Sequence, residues 1–175
     1  MGYGELCGFM WYTGNINLKK EVERMEKKLK MRNEVPVEET WDLSLIYPNA
    51  DAMYADLEKA RELTRQLKET YEGKLNTAEA ICGCLNLLQE ISVLKTYVGT
   101  YAFLAVEVDH YNSENMDRAS RVGAALSAMA GDLSFVESEI VQQSTEVLQS
   151  AISMAGGAAN YLKNILREKA YRLHP

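Results

Sequence analysis

The stretch AICGCLNLLQEISVLKTYVGTYAFLAVEV, Ala80 to Val108, decides the fold. At alternating spacings of four and three it sets Ala80, Cys84, Leu87, Ile91, Leu94, Val98, Tyr101, Ala105 and Val108 in one apolar stripe, the period of an α-helix. A second row, Ile81, Leu85, Leu88, Gly99, Ala102 and Val106, widens that face, and Val93 and Phe103 intrude on the remaining side. A helix this apolar has to be surrounded. At the α-helical rise it runs for roughly 40 to 45 Å, long enough to be the spine of a bundle.

Helices of the same kind flank it. Asn49 opens one with the stripe Met53, Leu57, Ala60, Thr64, Leu67 and Tyr71, and Gly73 closes it in the left-handed conformation that glycine adopts freely. Asn76 and Glu79 have capping-box spacing, so the spine is expected to start there and to end in the polar segment Asp109 to Asn112. A third long helix carries Ala119, Val122, Leu126, Met129, Leu133, Val136 and Ile140. Its Gly123 and Gly131 each cost about 1 kcal/mol relative to alanine, which points to close helix contacts at both. Leu148, Ile152 and Ala155 mark a shorter helix broken by Gly156-Gly157, and Tyr161, Leu162, Ile165 and Leu166 mark a last one. Short connections favour neighbouring antiparallel helices.

Upstream, Pro36 and Pro48 bracket an irregular segment, because each removes an amide donor and biases the preceding residue to extended geometry. Before it, Asn17 caps a charged helix whose narrow apolar seam is Leu18, Val22, Met25 and Leu29. Its lysines are interrupted by Glu21, Glu23 and Glu26, so it reads as a solvated arm and not as a basic membrane-binding helix. Expected is an all-α fold, an antiparallel up-and-down bundle of three long helices plus shorter C-terminal helices with an N-terminal helical arm. The expected boundaries are an extension over 1–31 with its charged helix over 17–32, the irregular segment over 32–48, and the bundle over 49–175.

The 175 residues are 47% apolar with a net charge of −6, room for one compact domain with a terminal arm. Acids and bases are mixed along the chain, leaving no basic stripe of the kind that neutralises phosphates, so nucleic acid is not an expected partner. No uninterrupted apolar run reaches the length of a bilayer span, so no membrane is expected either. Met1 to Tyr12 lacks the basic start and continuous apolar run of a signal peptide, and three cysteines do not make a disulfide framework. A reducing cytoplasm is the expected location.

Constellations that carry chemistry are sparse. Glu107 and His110 have the spacing of a di-metal carboxylate helix, but that site needs a second copy, and His174 has no glutamate three residues before it. Cys82 and Cys84 lie in an apolar helix start without a neighbouring histidine, and packing is their expected role. Gly156-Gly157 lacks the lysine and hydroxyl of a phosphate loop. Glu137 and Glu139, two apart on a helix, point to different sides. No catalytic, cofactor-binding or metal-binding residue is assigned.

The blocks Arg32-Asn33-Glu34-Val35-Pro36, Thr40-Trp41-Asp42-Leu43-Ser44 and Ile46-Tyr47-Pro48 resemble the opening of the oligoendopeptidase F family of zinc metallopeptidases. Tyr71-Glu72-Gly73-Lys74-Leu75 resembles that family's link between its first two long helices. Ser134-Phe135-Val136-Glu137-Ser138-Glu139 resembles its Ser-Phe-x-Glu-Pro-Glu block, with Ser138 in place of proline. Lys169-Ala170-Tyr171-Arg172-Leu173 is a weaker match to Lys-Pro-His-x-Leu. Trp41 is expected to clamp the irregular backbone onto the bundle.

The resemblance implies the amino-terminal helical lobe of such a peptidase, walling a channel for short peptides. Zinc belongs to a separate catalytic part bearing a His-Glu-x-x-His helix, a motif these 175 residues lack. The expected partners are that catalytic lobe, short peptides and a second copy of the chain. The alternative is a stand-alone helical interaction module or homodimerising bundle without enzymatic activity.

Overall fold

The computed structural model describes residues 32–172, and the charged helix expected upstream of Arg32, like His174, lies outside them. Residues 32–40 belong to one compact unit and residues 41–172 to another. In the first, 3-10 turns Arg32–Glu34 and Val37–Glu39 flank Pro36, and the Arg32 guanidinium donates to Thr40 Oγ1 at 3.0 Å.

The second unit is helical. Its order is a 3-10 turn Leu43–Leu45, α1 Ala50–Tyr71, α2 Ala78–Val108, α3 Ser113–Asp132, α4 Phe135–Gln142, α5 Thr145–Met154 and α6 Ala159–Arg172. The described residues contain no strand, so the all-α class expected from the periodicity is the one observed. Tight links at residues 72–77 and 109–112 return the chain, and α1, α2 and α3 pack against one another as an up-and-down bundle.

Helix α1 forms as its sequence dictates. Asn49 Oδ1 accepts from the Ala52 amide at 2.9 Å, Asp51 sits in the first turn and Lys68 in the last, each favoured by the helix dipole. Met53, Leu57, Ala60, Thr64 and Leu67 form its buried face, and the buried Thr64 hydroxyl is satisfied by the Ala60 carbonyl at 2.8 Å. Gly73, with φ +74, turns the chain. The cap of α2 is Thr77, not Asn76: its hydroxyl accepts from the Ala80 amide at 3.2 Å.

Helix α2 buries Ile81, Cys84, Leu85, Ile91, Val98, Gly99 and Ala102 against α1, α3 and α5. By length and composition it could cross a membrane, although Glu90 and Lys95 interrupt it. It is not enclosed on every side. Val93, Tyr97 and Phe103 stay 49%, 53% and 47% exposed, a departure from the expectation that this helix be surrounded.

The third long helix is also shorter than its stripe predicts. It ends at Asp132, and Leu133-Ser134 form a tight turn before α4. There the Ser134 amide and hydroxyl both donate to the Gly131 carbonyl, at 3.2 and 2.8 Å, an i to i−3 closure that overwinds the backbone. Val136 and Ile140 remain buried, so the apolar pattern runs on through the break. Of the two glycines read as helix contacts, Gly123 has only Phe103 at ordinary distance and Gly131 has nothing within 4 Å. The close approaches are on α2, where a Cβ at Gly83 would lie 2.5 Å from the Tyr71 hydroxyl and one at Gly99 3.3 Å from Leu126.

Two alanine substitutions should therefore act in opposite directions in urea denaturation. Gly73→Ala has free space but forces a left-handed alanine, and should lose about 1 kcal/mol. Gly131→Ala, right-handed and unobstructed, should gain up to about 1 kcal/mol.

Candidate functional site

Within the second unit, the stretch 41–48 before α1 is held by Tyr47. The residue is 8% exposed, its ring stands edge-on to Tyr101 at 5.6 Å between centroids, and its hydroxyl donates to the Asp56 carboxylate at 2.7 Å. Burial and the Asp56 partner hold the phenol well above its ordinary value of 10.0. Trp41, expected to be the clamp, is 63% exposed instead. Asp42 has a local role: its carboxylate accepts from the Ser44 amide and hydroxyl at 3.0 and 2.6 Å, capping the 3-10 turn, and these bonds hold its carboxyl below the usual range.

At the end of the bundle where α1 turns into α2, two distant parts of the sequence meet. The Gly73 amide donates to Glu139 Oε1 at 2.7 Å, and Lys68 Nζ pairs with Asp132 at 2.7 Å. Leu75, in the same link, is buried. The Tyr-Glu-Gly-Lys-Leu block thus abuts the Ser-Phe-Val-Glu-Ser-Glu block. Glu137 and Glu139 do point apart: Glu139 satisfies the turn, while Glu137 lines an open pocket of 520 Å³.

That pocket has an apolar floor of Leu88, Leu133 and Val136, with Tyr161 beside it, and its remaining lining is Ser134, Glu137 and Ser138. The turn that ends α3 creates it, by bending α4 toward α6. Sequence reading missed it because the stripe of α3 runs on unbroken. The Ser134 hydroxyl donates to the Gly131 carbonyl and the Ser138 hydroxyl to the Phe135 carbonyl at 2.9 Å.

The other groups singled out in the sequence come together less. Glu107 and His110 are 3.3 Å apart but 62% exposed. Burial and, to a lesser degree, the Glu139 charge push the Cys84 thiol up to about 12, and burial, with Glu79, raises Cys82. Both are therefore protonated near neutrality and poor nucleophiles. Among the described residues no three His, Cys, Asp or Glu side chains gather as metal ligands would.

No family model matches the chain, and no solved structure matches it. It is similar to Oligopeptidase PepF of Bacillus subtilis (strain 168), with 26% identity over 151 residues. That match covers 83% of this chain and 22% of PepF, so the chain spans about a fifth of its relative's length.

Tyr47→Phe should cost about 1.5 to 3 kcal/mol, the worth of a hydrogen bond to a charged acceptor. Because the folded state holds the phenolic proton more tightly, the unfolded chain releases it first. Stability should fall as pH rises past 10.0, the ordinary tyrosine value, and alkaline denaturation should show this loss reduced in the variant. At the opposite end, Glu139→Ala should lose about 1 kcal/mol in thermal melts, and Glu139→Gln, which keeps an acceptor for Gly73, should lose less.

Proposed function

We propose that this chain is the amino-terminal lobe of an oligoendopeptidase F-like zinc metallopeptidase of the cytoplasm. In this reading it is inactive by itself and helps to confine short peptides once joined to a catalytic part that carries the zinc. The single observation that carries the reading is the PepF similarity, which runs along 83% of this chain while taking up 22% of the relative. The placement of the shared blocks supports it. They cap a turn, seat Tyr47 and join Gly73 to Glu139, tasks that build a wall and leave cutting to other residues.

The open side of α2 favours a second reading, a helical module that works by association alone. Val93, Tyr97 and Phe103 each leave apolar area of α2 about half exposed, and exposed apolar area marks interaction sites when it is continuous.

Each reading has its own measurement. The purified chain should carry no stoichiometric zinc and should not cleave an unstructured quenched-fluorescence peptide; zinc by elemental analysis together with chelator-sensitive cleavage overturns the lobe reading. Static light scattering across a concentration series addresses the second: a strict monomer at every concentration counts against association through α2.

A further inference from the structure

We draw no further inference here: the strongest candidate, the half-exposed surface patch on the outer face of α2 at Val93, Tyr97 and Phe103, carries nothing because nothing in the structure shows what covers it.

Discussion

Burial of α2 is the constraint that the rest of the structure answers. Its apolar surface is wider than one neighbour can cover, so α1, α3 and α5 divide it among themselves. Met53 and Leu67 of α1, Val122 of α3 and Leu148 of α5 are all at zero exposure. Fully burying one such side chain is worth about 1.5 to 3 kcal/mol, several times the few tenths expected from surface pairs such as Arg61–Glu58 or Arg65–Glu69. The helices are therefore held mainly by packing, and their outer faces are left free to carry charge.

Packing has no direction along the helix axis, and the polar contacts supply one. At one end of the bundle Glu139 accepts from the Gly73 amide and Lys68 meets Asp132. Together they tie the α1–α2 link to the junction of α3 and α4. Away from that junction, Tyr47 pins the segment before α1 to Asp56 and Tyr101. A slide of α1 by one turn would separate these groups while leaving much of the apolar stripe in contact. Fixing the register is thus the physical task of Tyr47, Lys68, Asp132 and Glu139.

Local chemistry was legible where it acts within a few residues. Asn49 and Gly73 bound α1 as read, because a cap and a left-handed turn involve only neighbouring backbone. The break at Leu133-Ser134 was hidden, since an overwound turn returns Val136 to the same side as Met129 and both stay buried. Thr77 took the cap from Asn76 because either side chain can accept from the first turn and spacing alone does not rank them. The exchange of roles between Trp41 and Tyr47 has another cause. Burying Tyr47 requires an acceptor for its hydroxyl, and that acceptor, Asp56, is on the following helix. The contact between Gly73 and Glu139, 66 residues apart in sequence, left no trace in periodicity.

The two halves of α2 differ in what covers their outer side. In the first half, Cys82 Sγ donates to the Ala151 carbonyl of α5 at 3.5 Å, so that side is closed by the short C-terminal helices. In the second half Val93, Tyr97 and Phe103 are about half exposed, and the hydroxyls of Ser92 and Thr96 fold back onto the Leu88 and Ser92 carbonyls, each at 2.8 Å. Burying the hydroxyls of Ser92 and Thr96 would therefore strand no donor. Exposed apolar area beside hydroxyls satisfied in place suits a face that another surface can cover. On the lobe reading the uncovered half of α2 is where the remainder of a longer protein would continue the cover that α5 begins.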